Sequence, residues 1–231
     1  MSWRENAKKR ATADAVKHVK EGFIVGLGSG TTVAYALQEL GKRIKEEKLH
    51  IHGVPTSHQA FLLAVQNNIP ITTLDEHPLL NVTIDGADQV DEKLNTIKGM
   101  GGALTREKIV ASASKMNVIV VDETKLTEKL GANQPVPIEV LPFALSHVMA
   151  KLKKIGSEPT LRQAEKKLGP VVTDNGNFIL DVDFGRIDNP RELNQTLKLI
   201  PGVVETGLFV RMADIVYVGG KESVRKLEKL S

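Results

Sequence analysis

The segment Val25–Thr32, Val-Gly-Leu-Gly-Ser-Gly-Thr-Thr, combines alternating glycines with hydroxyl side chains. It lies where an apolar run gives way to a helical pattern, so we expect a strand, a tight loop and the start of a helix. A helix N-terminus offers free N–H groups and a favourable dipole to an anion, and glycines let an anion approach the backbone closely. The chemistry this predicts is phosphate binding. A tight turn capped by serine or threonine needs the same residues, so both interpretations stay open here.

Comparison with other glycine loops narrows the ligand. A dinucleotide loop needs a third glycine where Thr31 stands and an acid about 20 residues further on, where this chain has Pro55–Ser57. A methyltransferase-type loop usually has an acid where Val25 stands. No Gly-Lys-Thr or Gly-Lys-Ser follows, which excludes a nucleoside-triphosphate loop. A simple phosphate monoester remains.

Two acids, Asp85 and Asp88, follow the apolar run Val82–Ile84. Ligands of open α/β sheets bind at the carboxyl ends of strands, which makes this pair a candidate for acid–base chemistry. A solvated exit loop explains the same residues. Asp88 and Asp91 also have a metal-like spacing, but no histidine is near, and a few acids alone bind Mg²⁺ or Ca²⁺ only weakly.

A lysine, three glycines and a glutamate occupy residues 98–108, Lys-Gly-Met-Gly-Gly-Ala-Leu-Thr-Arg-Glu-Lys. We expect a helix to begin at about Ala103, with Glu107 near the end of its first turn. Small and apolar neighbours can desolvate a glutamate and raise its pKa towards the working pH of a base. The helix dipole by itself also favours a glutamate at this position. Lys98 lies in the loop, so we expect little packing to depend on it.

The elements that must position these residues alternate between strand and helix over the first 130 residues. This order predicts a doubly wound parallel α/β sheet. The expected elements are helices at 6–20, 32–45, 59–67 and 105–115, and strands at 23–27, 49–54, 71–74, 82–84 and 118–121.

The pattern changes near Gly131. The expected elements are then strand 135–140, helix 143–155, short strands 160–162 and 171–173, a turn at 174–177, strand 178–182, helix 190–199 and strand 203–209. This is close to the β-α-β-β-α-β order of a ferredoxin-like domain. Ile215–Gly220 then resembles a strand that returns to the first sheet. We therefore expect an α/β catalytic domain at 1–130 plus 210–231 and an inserted α+β lid domain at 131–209.

The composition excludes several classes of protein. A net charge of +3 is too mild to indicate a nucleic-acid-binding face. The chain has no cysteine, which excludes disulfides, thiolate nucleophiles and cysteine-bound metals. No apolar run approaches the ~20 residues that span a bilayer, and the N-terminus lacks the apolar stretch of a signal peptide. We therefore expect a cytoplasmic protein that binds neither nucleic acid nor a membrane.

Five segments, in order and together covering nearly the whole chain, resemble the type A ribose-5-phosphate isomerases. Each is a weak signal alone, and five in register are specific. They are Gly-Leu-Gly-Ser-Gly-Thr-Thr (26–32), Asp-Gly-Ala-Asp (85–88), Lys-Gly-Met-Gly-Gly-Ala-Leu-Thr-Arg-Glu-Lys (98–108), Val-Asp-Glu-Thr-Lys-Leu (121–126) and Val-Thr-Asp-Asn-Gly-Asn (172–177).

The resemblance implies interconversion of ribose 5-phosphate and ribulose 5-phosphate through an enediol, in the non-oxidative branch of the pentose phosphate pathway, with no metal and no cofactor. It implies Glu107 as the general base, with Lys98, Asp85 and Asp88 as the other catalytic groups. Lys8 is a candidate phosphate contact, although an exposed helix lysine is the simpler interpretation. The implied substrate-binding residues are Ser29, Gly30, Thr31, Thr32, Asp85, Gly86, Ala87, Asp88, Lys98, Gly99, Met100, Gly101 and Lys125.

Two positions depart from the family pattern. Ser29 stands where relatives have threonine, which keeps the hydroxyl group. Met100 replaces a glycine of the triple-glycine loop, so its backbone must avoid the conformations that only glycine tolerates.

Related folds serve three other functions, which the sequence argues against. A sugar-phosphate sensor of a repressor needs a DNA-reading module, for which the first helix, near Asn6, leaves no room. An acyl-CoA transferase needs a glutamate nucleophile in a different loop, and a glucosamine-phosphate deaminase needs a histidine beside acids. The resemblance also implies a homodimer or a homotetramer.

Overall fold

The apolar runs at 23–27, 82–84 and 118–121 form neighbouring strands of one parallel sheet. A parallel sheet is buried on both faces, which is why its strands are continuous apolar runs. The computed structural model describes residues 2–229, which divide into two compact units. The first unit comprises residues up to Ala87, Arg106–Leu126 and the chain from Arg211 onwards. Its elements are α1 (Trp3–Ala15), β1 (Ile24–Leu27), α2 (Thr31–Glu47), β2 (His52–Pro55), α3 (His58–Gln66), β3 (Val82–Gly86), α4 (Leu104–Ser112), β6 (Asn117–Asp122), β12 (Ile215–Gly219) and β13 (Val224–Glu228).

The sheet of the first unit has the order β13-β12-β6-β3-β1-β2 and is parallel except for the edge strand β13. The chain passes from β1 to β2 on one side and then returns to place β3 on the other side of β1. This reversal is a topological switch point, the place where open α/β sheets bind ligands.

Helices cover both faces of this sheet, which confirms the predicted doubly wound α/β class. Val25 and Leu27 of β1 belong to a core cluster with α1 and α2. The alternate residue, Gly26, faces the other side, where a side-chain carbon built on it would lie 2.6 Å from Val110 of α4. The glycine therefore lets α4 approach the centre of the sheet closely.

The second unit comprises Asp88–Thr105 and Thr127–Val210. Its elements are β4 (Gln89–Val90), β5 (Thr96–Ile97), β7 (Val136–Val140), α5 (Leu145–Lys154), β8 (Glu158–Leu161), β9 (Phe178–Asp183), α6 (Pro190–Lys198), β10 (Val203–Thr206) and β11 (Leu208–Phe209). The strands β7 to β10 form an antiparallel sheet in the order β10-β7-β9-β8. With α5 and α6 this is the β-α-β-β-α-β arrangement of a ferredoxin-like fold, as the sequence predicts.

The strand predicted over 203–209 is wrong as a single element. It divides at Gly207 into β10, which pairs with β7, and β11, which pairs with β5 in a separate three-stranded sheet of order β11-β5-β4. A side-chain carbon on Gly207 would lie 2.3 Å from the carbonyl oxygen of Lys98. The chain changes sheets here because only glycine allows this close approach.

Other expected strands also differ. Residues 71–74 form no strand, and Ile71 makes only an isolated bridge to Gly53. Val171–Thr173 likewise contributes only the bridge from Val172 to Phe178. The edge strand β13 was not predicted, because its polar sequence, Val-Arg-Lys-Leu-Glu, has few apolar residues.

The two compact units and the predicted domains differ in extent. The domains at 1–130 plus 210–231 and at 131–209 stay a prediction, since compactness alone does not test them. The second unit additionally includes residues 88–105 and 127–130, because β4 and β5 form a sheet with β11 rather than joining the parallel sheet.

Candidate active site

The glycine loop and Asp85 lie together at the switch point of the parallel sheet. Leu27 at the end of β1 is in register with Ile84 of β3, so the residues that follow both strands emerge side by side. The Oδ1 atom of Asp85 accepts hydrogen bonds from the backbone N–H of Ser29 (3.2 Å) and of Gly86 (2.7 Å). Asp85 is only 2% exposed. Its carboxylate therefore holds the loop in place as well as lining it.

Gly28 is required for this approach. A side-chain carbon built on Gly28 would lie 2.2 Å from Oδ1 of Asp85. Any other residue would displace the carboxylate or the loop, since real carbon–oxygen contacts are far longer. The sequence offered two roles for these glycines, anion approach and turn formation. The geometry adds a third, contact with a carboxylate on the adjacent strand.

Thr56 and Ser57 join the loop, and the sequence did not mark them as site residues. The Oγ atom of Ser29 lies 2.8 Å from Oγ1 of Thr56 and 2.6 Å from Oγ of Ser57. Ser57 also accepts the hydrogen bond from the Ala60 N–H that caps α3. The signal available was their position directly after β2, at the same edge of the sheet as the glycine loop.

The N-terminus of α2 carries the next candidate residues. Gly30 is the N-cap with a φ of 94°, a conformation that favours glycine, and its N–H donates to Gln59. Thr31 opens the helix, and its Oγ1 accepts a hydrogen bond from Nζ of Lys8 at 3.3 Å. The interpretation of Lys8 as an exposed lysine is wrong, because its side chain is only 21% exposed and also lies 3.9 Å from Asp122. The structure thus brings a cation to the N-terminus of α2.

Two further candidates lie near this edge of the sheet. A built side-chain carbon on Gly86 would be 4.0 Å from Thr32, which places residue 86 beside the start of α2. Lys125 ends a short 3₁₀ turn, Glu123–Lys125, that directly follows β6. Because β6 is parallel to β3 and adjacent to it, this turn emerges at the same edge as Asp85.

Glu107 is buried on α4, with 5% of its surface exposed. The helix runs antiparallel to the strands: Ala113 near its end binds Leu80 just before β3, and Val110 packs opposite Gly26. Residues three apart share one helix face, so Glu107 lies on the same face of α4 as Val110, about one turn closer to the N-terminus of the helix. Because α4 runs antiparallel to the strands, this turn lies towards the carboxyl edge of the sheet.

In the second unit, Asp88 is joined to the glycine loop that begins after Lys98. Its Oδ2 atom accepts a hydrogen bond from the N–H of Met100 at 3.0 Å. The N–H of Gly102 donates to the carbonyl of Gly99, which closes a four-residue turn. Gly99 (φ 104°) and Gly102 (φ 83°) need the left-handed region, whereas Met100 and Gly101 do not. The backbone of Met100 therefore avoids the conformations that only glycine tolerates, which is the condition that the sequence set for a methionine at this position.

Lys98 is 4% exposed, so the expectation that little packing depends on it is wrong. Its backbone N–H donates to Gly207, and its ammonium group lies 5.4 Å from the centre of the Phe209 ring. Such a cation–π contact stabilises a charge that has left water. The sequence could not show this, because Phe209 is more than 100 residues away along the chain.

Asp91, the acid that gave the metal-like spacing, serves a turn. Its carboxylate accepts hydrogen bonds from the N–H groups of Lys93 and Asn95 and from the Asn95 side chain. These bonds close the hairpin between β4 and β5. Both oxygens of this carboxylate are therefore already occupied by the turn, whereas the carboxylate of Asp88 accepts a hydrogen bond from the glycine loop.

The sequence is similar to those of one family of known proteins. Residues 52–223 match the family model described as ribose 5-phosphate isomerase A (phosphoriboisomerase A). The chain is 48% identical to ribose-5-phosphate isomerase A of Thermococcus kodakarensis over 226 residues, which covers 97% of this chain and 99% of the relative. No helix among residues 2–229 is long and apolar enough to cross a membrane.

Solved structures agree over the full length. A D-ribose-5-phosphate isomerase in complex with phospho-erythronic acid superposes with a TM-score of 0.96 at 46% identity, covering 99% of this chain and 100% of that one. Ribose 5-phosphate isomerase A of Methanocaldococcus jannaschii superposes with a TM-score of 0.94 at 46% identity, covering 97% and 99%.

The open α/β sheet, with acids and a hydroxyl-rich glycine loop at its carboxyl edge, is that of an aldose–ketose isomerase. The chain belongs to the ribose 5-phosphate isomerase A family.

Proposed function

We propose that the protein interconverts D-ribose 5-phosphate and D-ribulose 5-phosphate by moving one proton between C2 and C1. The observation that carries the proposal is the burial of Glu107 on α4, the helix whose Val110 lies opposite Gly26 of the parallel sheet, in a chain of this family. The phospho-erythronic acid bound by the similar structure supports the same chemistry. Its carboxylate presents two oxygens on one planar carbon, much as an enediolate presents oxygens on C1 and C2.

The phosphate group is proposed to bind at Ser29–Thr32. The start of α2 supplies backbone N–H groups and the positive end of the helix dipole. Lys8, which donates to Thr31, adds a positive charge, so we include it among the phosphate contacts. A phosphate held here fixes the far end of the sugar, which allows one base to act on two adjacent carbons.

The proton transfer then needs one carboxylate. With the sugar in its open form, Glu107 removes the proton from C2, and the electrons of that bond form the C1–C2 double bond while O1 becomes negative. A proton moves from O2 to O1 within the enediol. Glu107 then gives its proton to C1, which leaves a carbonyl at C2 and regenerates the carboxylate. Carboxylate bases of this kind contribute about 10²–10⁴-fold to a rate.

The developing charge on O1 is proposed to be stabilised by Lys98 and by backbone N–H groups of the turn Gly99–Gly102, in which those of Met100 and Gly102 already bind Asp88 and Gly99. Donors aimed at such an oxygen are worth about 3–4 kcal/mol each. Asp85 and Asp88 are proposed to move hydroxyl protons and to help open the furanose ring. Gly86, Ala87 and Lys125 complete the proposed substrate contacts.

The test is turnover of ribose 5-phosphate by the purified protein in D₂O, followed by NMR of the product. Proton transfer through an enediol exposes the abstracted proton to exchange, so ribulose 5-phosphate is expected to carry deuterium at C1. A direct hydride shift, the route of metal-dependent sugar isomerases, would leave C1 without deuterium. Absence of turnover, or turnover only of glucosamine 6-phosphate, would refute the proposal.

The same assay tests the expectation that no metal is needed. Because the proposed acid, base and oxyanion groups are all side chains or backbone N–H groups, exhaustive chelation should leave the rate unchanged. A rate that is lost on chelation and restored by one divalent ion would contradict this.

We further propose a homodimer or homotetramer located in the cytoplasm. The second unit exposes Phe143, Leu168 and Leu199 almost completely, and apolar side chains of this kind favour association between copies. Analytical ultracentrifugation at several protein concentrations would test this, and a concentration-independent monomer would refute it.

A further inference from the structure

Arg162, directly after β8 in the second unit, contacts the turn Gly99–Gly102. Its Nη1 atom donates to the carbonyl oxygens of Gly99 and Met100, both at 2.9 Å, and Nη2 lies 3.7 Å from the sulfur of Met100. The family resemblance assigned nothing to this arginine. Its guanidinium group binds the proposed oxyanion loop on the side of these two carbonyls.

The guanidinium group is itself held in one orientation. Its Nε donates to Oδ2 of Asp181 at 2.8 Å, and its Nη2 donates to Oδ1 of the same carboxylate. The side chains of Arg162 and Asp181 are only 12% and 21% exposed. A two-point arginine–carboxylate pair of this kind is rigid. It fixes the orientation of the guanidinium plane, so the hydrogens of Nη1 point at the two carbonyls.

Holding the carbonyls also orients the N–H groups, because the C=O and N–H of a trans peptide point in opposite directions. The peptide from Gly99 to Met100 has its oxygen on Arg162 and its N–H on Asp88. The next peptide also has its oxygen on Arg162, so the N–H of Gly101 must point away from the arginine. No acceptor for the Gly101 N–H occurs among residues 2–229.

We propose that Arg162 is a positioning residue for the isomerisation, holding two loop carbonyls so that the N–H of Gly101 meets the substrate oxyanion and the N–H of Met100 orients Asp88. The proposal rests on the proposed function. Arg162 does not touch the substrate. It acts by fixing the donors, and a donor displaced by about 1 Å can lose about 100-fold in rate.

The experiment compares Arg162→Ala with the wild-type protein, using ribose 5-phosphate. We expect kcat to fall by about 10–100-fold and KM to change by less than about threefold, because Arg162 acts on the oxyanion and not on the phosphate. Millimolar guanidinium ion added to the variant should restore part of kcat with a saturable dependence, since a planar cation can occupy the vacated place between Asp181 and the carbonyls. Methylammonium, which lacks the planar donors, should not.

Arg186→Ala is the matched control, because Arg186 forms an exposed pair with Glu128 in the same unit and does not contact the loop. Its kcat should equal that of the wild type, and guanidinium should not raise it. If Arg162→Ala does not fold, Arg162→Lys replaces it, with a smaller loss of kcat expected because an ammonium group cannot bind Asp181 and both carbonyls together. An active wild type with either variant within threefold of its kcat, or a folded Arg162→Ala that guanidinium does not rescue, would overturn the proposal. An inactive wild type would instead refute the proposed function.

Discussion

Glu107 differs from the aspartates of the site in the element that holds it, because its carboxylate comes from the first turn of a helix rather than from the end of a strand. A helix-start glutamate is common for electrostatic reasons alone. Burial distinguishes this one, since a glutamate that only served the dipole would gain nothing by leaving water. The combination supports the proposed role of Glu107 as the base.

Replacement of Glu107 by glutamine tests this assignment. Glutamine keeps the shape of the side chain but cannot accept the C2 proton, so we expect kcat to fall by about 10²–10⁴-fold with KM nearly unchanged. Steady-state kinetics provide the measurement. Glu128→Gln, a change at an exposed residue, is the control and should be fully active. A Glu107→Gln protein with normal turnover would leave Glu107 as a helix-start residue only.

Lys98 packs against Phe209 and is also proposed to stabilise the oxyanion. A useful replacement must therefore remove the charge and keep the packing. Methionine keeps most of the aliphatic stem beside Phe209 but removes the charge. We expect Lys98→Met to fold and to lose about 10²–10³-fold in kcat, as is typical for an oxyanion donor. Thermal unfolding and kinetics on the same preparation decide the matter. Near-wild-type turnover in the folded variant would remove Lys98 from the mechanism, and Lys129→Met, at an exposed ion pair, serves as control.

At the scale of elements, one buried carboxylate joins β7, the start of α4 and the turn before β9. Glu139 is fully buried, and its Oε2 accepts from Thr105 at 2.6 Å. Its Oε1 accepts from Thr173, Asn175 and Asn177 at 2.8–3.0 Å. Four donors satisfy this carboxylate, as a buried charge requires. The segment Val-Thr-Asp-Asn-Gly-Asn thus has a structural role in supplying donors to Glu139.

Replacement of Glu139 by leucine should therefore destabilise the protein severely. It leaves three donors on buried residues, Thr105, Thr173 and Asn177, without an acceptor, and each costs about 1–3 kcal/mol. Glu139→Gln should be milder, because its carbonyl can still face three donors and the Thr105 hydroxyl can turn to accept. Urea unfolding gives the free energies, with Glu158→Leu as an exposed control. Equal stability of the leucine variant and the wild type would contradict the role of this cluster.

At the scale of the whole molecule, His18 links stability to pH. Its Nε2 lies 3.0 Å from the Tyr217 hydroxyl, which connects the end of the first helical segment to β12. Burial chiefly lowers the pKa of His18 below its ordinary value of 6.5, and the charges of Lys226 and Lys20 lower it further against the opposing effect of Glu228. The folded protein therefore binds this proton less tightly than the unfolded chain does.

The sign of the pH effect follows from linkage. Stability from the neutral His18 is complete above the unfolded pKa and is lost as pH falls from about 6.5 towards the lowered folded value. We expect the unfolding temperature to decline over this range and to decline less in His18→Gln. Calorimetry from pH 8 to pH 5 measures it, with His50→Gln as an exposed control. Identical pH profiles for His18→Gln and the wild type would contradict the assignment.

The sequence by itself determined the class of both sheets and singled out candidate residues for the chemistry. Alternation of apolar runs and helical faces specifies a parallel sheet, and the two-helix, four-strand order specifies the ferredoxin-like fold, because these patterns are local. The glycine loop, Asp85 and Glu107 could likewise be selected as candidates, but residue type alone left their roles open, and the roles predicted for them came from the resemblance of five segments to a known family.

Only the tertiary structure decided which of these groups meet and what supports them. Contacts between Lys98 and Phe209, between Ser29 and Thr56, and between Arg162 and the loop carbonyls join residues far apart in the chain. Short strands such as β5 and β11 carry too few residues to show a periodicity, so their pairing, and with it the burial of Lys98, could not be predicted. Hydrogen bonds and close approaches of this kind depend on register and distance, which local residue patterns do not encode.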